Sequence, residues 1–282
     1  FGEAHLLPKQ LNGKELSYNN LLDIEAALEL IEEFSQPTVA ILKHNNACGC
    51  ASNPKLVEAW NSALKADPLS AFGGVIVANR EIDLETAEAI DKLFFEVIIA
   101  PSYREEALDL LKLKAKRVIL LTPEQKLSSS KFRSMLGGVL VQERDSSTET
   151  KANLTQVTKL SPTNKQITDL IFANKLVKHS KSNAIVIAKD SMLLASGVGQ
   201  TSRVDALKQA ITKAQNFNLE LKGAVMASDA FFPFPDCVQI AHEVGIDTII
   251  QPGGSIKDGE TIEYCNQNNM AMVTTGIRHF KH

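Results

Sequence analysis

Cysteine is scarce in this chain: four residues in 282, too few and too unevenly spaced for a disulfide framework. No apolar run reaches the roughly 18 residues that a membrane-spanning helix needs. A basic excess is missing as well, because 30 Lys and Arg face 33 Asp and Glu for a formal net charge of -3. That balance argues against a nucleic-acid-binding surface, yet it leaves room for a local basic pocket that takes one phosphorylated small molecule. The opening Phe1-Gly2-Glu3-Ala4-His5 has neither a basic region nor an apolar core of signal-peptide type, so the expectation is a cytoplasmic protein. There is no low-complexity segment and no convincing repeat between the two halves. With 44% hydrophobic and 22% charged residues, the composition is that of an ordinary soluble globular chain.

What is present is alternation. Short runs rich in Val and Ile trade places with amphipathic stretches of helical period, the pattern of an α/β protein. Strands are expected at 38–42, 75–78, 97–100, 117–121, 138–142, 184–188, 192–196, 224–227, 248–251 and 270–274. Helices are expected at 22–34, 54–66, 84–93, 105–113, 164–178, 203–215, 235–244 and 258–266. In the first helix Ile24, Leu28 and Ile31 recur at three- and four-residue spacing with acidic residues between them. The polar stretch from about Glu143 to Lys159 reads as a linker or surface crossing. It divides the chain into a first α/β subdomain, 1–145, and a second, 146–282.

Six segments can carry chemistry. Lys43-His44-Asn45-Asn46-Ala47-Cys48-Gly49-Cys50 follows an apolar strand, where ligands of open α/β sheets gather off carboxyl ends. A histidine there can exchange a proton near neutral pH, and a neighbouring ammonium can stabilise developing negative charge. The plain alternative is a surface lysine and a satisfied histidine. Zinc on His44, Cys48 and Cys50 is a further reading, but Cys-x-Cys is tighter than the usual ligand gap. Asp67-Pro68-Leu69-Ser70-Ala71-Phe72-Gly73-Gly74 is a glycine turn into a strand. Gly197-Val198-Gly199-Gln200-Thr201-Ser202-Arg203 opens a helix whose N–H groups can face an anion. It lacks the third glycine of the dinucleotide fingerprint and is not a P-loop. Arg203 sits in the first helical turn, where a cation opposes the helix dipole and requires another partner. Phe231-Phe232-Pro233-Phe234-Pro235-Asp236 forms a stiff apolar wall suited to a flat heteroaromatic ring. Gln251-Pro252-Gly253-Gly254-Ser255 is another glycine turn. The end, Arg278-His279-Phe280-Lys281-His282, reads by itself as a solvated tail or a phosphate contact.

Each signal is weak alone, but their order is specific. Lys-His-Asn-Asn-Ala-Cys-Gly, Asp-Pro-Leu-Ser-Ala-Phe-Gly-Gly, Gly-Gln-Thr-Ser-Arg-Val-Asp, Ser-Asp-Ala-Phe-Phe-Pro-Phe and Gln-Pro-Gly-Gly-Ser run in one chain ending Arg-His-Phe-Lys-His. The set closely resembles the AICAR transformylase domain family, found in bifunctional purine biosynthesis proteins that also carry an IMP cyclohydrolase domain. Gly13-Lys14-Glu15-Leu16-Ser17-Tyr18-Asn19-Asn20 fits it too, and the resemblance covers nearly the whole chain. It implies two cytidine-deaminase-like α/β subdomains forming one transformylase unit, and a homodimer with shared active sites. By this resemblance Lys43, His44 and Asn183 are catalytic. Gly73, Glu96, Asn183, Arg278 and His282 hold AICAR. Phe72, Arg203, Val204, Phe231, Pro233, Phe234, Asp236, Ser255 and Ile256 line the folate side.

Departures from the family pattern are Ala47 where relatives often have Pro, Pro235 where they usually have Arg, and Glu96 where many have Asp. The resemblance also implies an Arg-Tyr-Gly-Glu-Asn-Pro-His-type segment and a cyclohydrolase domain ahead of residue 1. Neither is in this sequence, so a nucleotide- or folate-binding fragment without turnover is the second reading. The implied reaction is formyl transfer from the co-substrate 10-formyltetrahydrofolate to the 5-amino group of AICAR. It needs no metal, and the deaminase signature of His-x-Glu with Pro-Cys-x-x-Cys is missing.

Overall fold

Local sequence sets most elements in the computed structural model of the chain, which describes residues 7–125 and 127–282. The first half contains β1 (Gln10–Asn12), α1 (Tyr18–Ile31), β2 (Thr38–Lys43), β3 (Asn46–Ser52), α2 (Leu56–Ala66) and α3 (Pro68–Ala71). It continues with β4 (Val75–Ala78), α4 (Leu84–Asp91), β5 (Val97–Ala100), α5 (Glu105–Lys112) and β6 (Val118–Leu121). A separate hairpin follows, β7 (Ser130–Met135) with β8 (Gly138–Glu143). The second half runs β9 (Thr155–Gln156), α6 (Asn164–Lys178), β10 (Ile185–Lys189), β11 (Met192–Gly197), α7 (Arg203–Asn216) and β12 (Val225–Ser228). It ends with α8 (Asp236–Glu243), β13 (Thr248–Gln251), α9 (Asp258–Gln267) and β14 (Ala271–Thr274).

Helix α1 starts at Tyr18, four residues before the expected position 22, because Ser17 and Asn20 form a reciprocal capping box. Among the described residues, twelve strands make one mixed sheet in the order β1-β6-β5-β4-β2-β3-β11-β10-β12-β13-β14-β9. Read inward from either edge, the order is the same: an antiparallel edge strand, three parallel strands, then an antiparallel hairpin. The repetition is legible in topology and invisible in sequence. The halves meet where β3 and β11 run antiparallel, Ala51 opposite Met192.

Alternation along the strands builds two faces. Ala40, Leu42, Val75, Val77, Val97, Val186 and Ala227 point into a cluster shared with α1 and α6. Val39, Ile41, Ile76, Ile98 and Ile119 point to the opposite face under α2 and α5, and Ile185, Ile187, Met226 and Ile249 do the same under α7 and α8. Both crossover helices lie on glycine. A Cβ on Gly49 would meet the Ala63 carbonyl oxygen at 2.2 Å, and one on Gly197 would meet that of Ala206 at 1.8 Å.

Three expectations change. The strand expected at 138–142 belongs to β7–β8, outside the large sheet, with Leu136, Val139, Leu140 and Val141 exposed. The polar stretch after it is the surface crossing and no loose linker: most of it is exposed, but Glu149 is buried and β9 pairs with β14. The C-terminus is no solvated tail, because His279 is 2% exposed and its main chain is tied to the sheet edge.

Candidate active site

Strand β2 ends in a two-residue turn. His44 and Asn45 have φ of 51° and 65°, the left-handed pair of a type I′ hairpin, so Lys43 lies directly opposite Asn46 on β3. Asp23 on α1 secures the turn, its Oδ1 accepting the Asn45 N–H at 2.6 Å, and the Asn46 side chain donates to the His44 carbonyl at 2.9 Å. His44 is exposed at the tip. Lys43 reaches sideways, and its Nζ donates to the Phe72 carbonyl at 2.6 Å. Gly73 is shaped to this arrangement: its φ is +69°, and a Cβ there would come within 3.2 Å of the Lys43 Nζ. Phe72 itself is exposed and packs against Phe94, with ring centroids 5.0 Å apart and planes tilted by 42°.

The expected position off the carboxyl ends of parallel strands holds for only half of the site. Because β2 runs antiparallel to β4, Lys43 stands at the amino ends of β4, β5 and β6, beside Gly73 and Glu96. Beyond β3 the sheet direction inverts. The same edge therefore carries Gly197 at the end of β11, Asn183 just before β10, and the carboxyl ends of β12, β13 and β14.

Glu96 is held on this edge by two residues that the sequence alone does not assign to the site. Its Oε2 accepts from Asn20 Nδ2 at 3.2 Å and from Lys14 Nζ at 3.4 Å. Both lie in the Gly13–Asn20 run, and only the fold brings that run to β5. Asn183 follows a cis Ser182–Asn183 peptide and donates from Nδ2 to the Gln200 carbonyl at 2.9 Å.

Arg203 finds the partner that its position in the first turn demands. Its Nη2 donates to Asp229 Oδ1 at 3.1 Å and its Nε to Ser228 Oγ at 3.2 Å. Val204 is half-buried behind it. In the aromatic wall the side chains separate: Phe232 is fully buried, Phe231 is half-buried, and Pro233 and Phe234 are exposed. Asp236 opens α8 and accepts from the Cys237 N–H at 2.8 Å. Ser255 Oγ accepts from the Lys257 N–H at 3.1 Å, and Ile256 is fully exposed. Arg278 lies exposed over Phe280 at 5.6 Å, with His282 exposed beside the same ring.

A bulge removes the zinc geometry. Gly49 pairs with Ile41 and Ala47 with Leu42, so Cys48 is skipped. Cys48 therefore enters the cluster beneath α2, whereas Cys50 enters the one beneath α1. The two thiols face opposite sides of the sheet, and burial pushes Cys48 up to about 12 and raises Cys50 too. Among the described residues, no group of three or more His, Cys, Asp or Glu could hold a metal ion.

The hairpin opens onto a cavity of about 590 Å³, lined by Lys43, His44, Asn46, Ser70, Lys208 and Lys213 among others. His282 lines a different cavity of about 420 Å³, together with Glu29, Glu33, Arg144, Lys178 and His179. Glu33 there is held down to about 2: burial opposes ionisation, but hydrogen bonds from His179, Lys178 and Thr148 outweigh it.

Fold and site together define an α/β protein with a duplicated sheet and a Lys-His hairpin at its shared edge. Residues 3–213 match the family described as AICARFT/IMPCHase bienzyme, and the chain belongs to that family. It is 61% identical over 282 residues to the bifunctional purine biosynthesis protein PurH of Bacteroides thetaiotaomicron, which covers 100% of this chain and 56% of that protein. The PurH proteins of Persephonella marina and Caldicellulosiruptor saccharolyticus are 49% and 50% identical, over 96% and 97% of this chain and 53% of each relative. The chain thus spans about half the length of the curated relatives it matches.

Proposed function

We propose that this chain transfers the formyl group of 10-formyltetrahydrofolate to the 5-amino group of AICAR, giving formyl-AICAR and tetrahydrofolate in purine biosynthesis. The observation that carries the reading is the hairpin tip, where His44 is exposed next to a lysine whose Nζ is anchored 2.6 Å from the Phe72 carbonyl. An aromatic amine conjugated with a carboxamide is a poor nucleophile and needs a base as it attacks. His44 removes the amine proton while the nitrogen bonds to the formyl carbon. One Lys43 N–H is occupied by the Phe72 carbonyl, which leaves the others for the oxyanion or for N10 as it departs. Asn183 assists by hydrogen bonding. No metal and no covalent enzyme intermediate is part of the mechanism.

The remaining assignments belong to the same proposal. Gly73, Glu96, Arg278 and His282 bind the nucleotide, and the exposed Phe72, Pro233 and Phe234 offer apolar surface to the folate. Lys43 and His282 line separate cavities, which supports a site completed between two copies of the chain. A cytoplasmic location and 1–145 and 146–282 as cytidine-deaminase-like subdomains complete the reading. The test is to mix the purified chain with AICAR and 10-formyltetrahydrofolate and to follow tetrahydrofolate by absorbance. No turnover, even with the family's upstream segment restored, would sink it.

A further inference from the structure

The C-terminal residues are fastened at three points beside Asn183. The His279 N–H donates to the Asp229 carbonyl at 3.0 Å, and the Ser182 N–H to the Lys281 carbonyl at 2.9 Å. The Lys281 N–H donates back to Ser182 Oγ at 3.1 Å. Asp229 in turn bonds through its N–H to the Ala184 carbonyl, so the tail is tied to one neighbour of Asn183 directly and to the other through Asp229.

The side chain of His279 supplies a second fastening. Its ring is buried between two carboxylates from the polar stretch, with Nδ1 2.6 Å from Asp145 Oδ2 and Nε2 3.0 Å from Glu149 Oε1. Neither carboxylate is loose. Asp145 Oδ1 accepts the Ser147 N–H at 3.2 Å, and Glu149 Oε2 accepts Asn174 Nδ2 of α6 at 2.8 Å. A neutral imidazole has one N–H and cannot donate to both acids, so this geometry calls for the imidazolium. The sequence alone offers His279 only as part of a terminal basic cluster and gives Asp145 and Glu149 no role.

We propose that His279 is a positioning residue: bridged to Asp145 and Glu149, it fixes residues 278–282 beside Asn183 and so presents Arg278 and His282 to the nucleotide. The nucleotide half of this inference rests on the proposed function, since Arg278 and His282 are exposed and only that reading gives them a ligand. Fixing the tail beforehand lowers the ordering cost of binding AICAR.

The experiment uses the 282-residue chain with His279→Gln, the milder Asp145→Asn at the half-exposed acid, and Arg278→Ala. Amide exchange of the C-terminal peptide reads the clamp, and calorimetric titration with AICAR reads its consequence. Expected are faster exchange of the tail in His279→Gln and Asp145→Asn with melting retained in the latter. AICAR affinity should fall about ten-fold, the scale of removing one charge-assisted hydrogen bond. In the doubly substituted His279→Gln, Arg278→Ala chain the two effects should not add, because both act through the same interaction with the nucleotide. Unchanged tail exchange overturns the proposal. So does faster exchange with AICAR affinity intact while Arg278→Ala weakens it. Binding is measured directly, so this test stands whether or not the chain transfers a formyl group, and a failure of the transferase reading is told apart from a failure of this one.

Discussion

The Arg203 guanidinium, in the first turn of α7, lies 3.1 Å from Oδ1 of Asp229, a carboxylate with no exposed surface at the end of β12. The pair explains a cation placed against a helix dipole. It also binds Arg203 into the fold, so an exchange with a ligand carboxylate would have to break a buried ion pair. Removing one partner of such a pair leaves an uncompensated charge. Arg203→Leu is therefore expected to cost about 3–5 kcal/mol of stability. Adding Asp229→Asn should recover a large part of it. Chemical denaturation of the single and double variants checks this, and a double variant less stable than Arg203→Leu would contradict it.

The two crossover helices make the same demand on glycine. Gly49→Ala and Gly197→Ala each drive a methyl group into a helix carbonyl, at Ala63 and Ala206 respectively. Such overpacking costs about 1–3 kcal/mol, occasionally more. Gly259→Ala, at a position with open space around the added Cβ, serves as the control. Equal melting temperatures for all three variants would show that the close approach has no energetic weight.

At the hairpin, His44→Ala should reduce formyl transfer by about 10²–10⁴-fold, the range for one general base. AICAR affinity should stay within about two-fold, since a general base acts in the transition state and not in ground-state binding. Steady-state kinetics with a direct binding titration separates the two. Equal losses in turnover and affinity would reassign His44 to binding.

His279 makes stability pH-dependent. Burial alone would lower its pKa, but hydrogen bonds to Asp145 and Glu149, with their charges, raise it to about 9. The groups around it are those two carboxylates, with Asn174 of α6 behind Glu149 and Lys178 acting on Asp145. In the unfolded chain a histidine titrates near about 6.5. The imidazolium therefore contributes fully below about 6.5, and the contribution is lost as pH rises through about 9; it amounts to about 3 kcal/mol at most. The stability gap between the native chain and His279→Gln should shrink between about pH 6 and about pH 10. A gap constant over that interval would show that the ring does not titrate in the folded state.

Much of the fold was legible in the sequence because its signals are local. Strands at 75–78, 97–100 and 248–251 and the helix at 164–178 emerge where they were expected, since apolar period and capping residues act over a few positions. β3 was missed. Asn46-Ala47-Cys48-Gly49-Cys50-Ala51-Ser52 has little β-branched character, and it becomes a strand only through its neighbours β2 and β11. The bulge at Cys48 has no sequence signature either, yet it sends to opposite faces two thiols whose spacing of two would put them on one face of a regular strand.

The sequence by itself determined the α/β class, the succession of helices and strands, and the choice of Lys43–His44 as the pair proposed for the chemistry. These depend on periodicity, propensity and residue chemistry, which are properties of short segments. Only the tertiary structure decided that the chain is duplicated about β3 and β11, so that amino ends of one half and carboxyl ends of the other share an edge. It alone gave Glu96 to Asn20, Arg203 to Asp229, and His279 to Asp145 and Glu149. Those partners lie 26 to 134 positions apart in the chain. What selects them is burial: a polar group removed from water must find a partner in space, wherever in the sequence that partner stands.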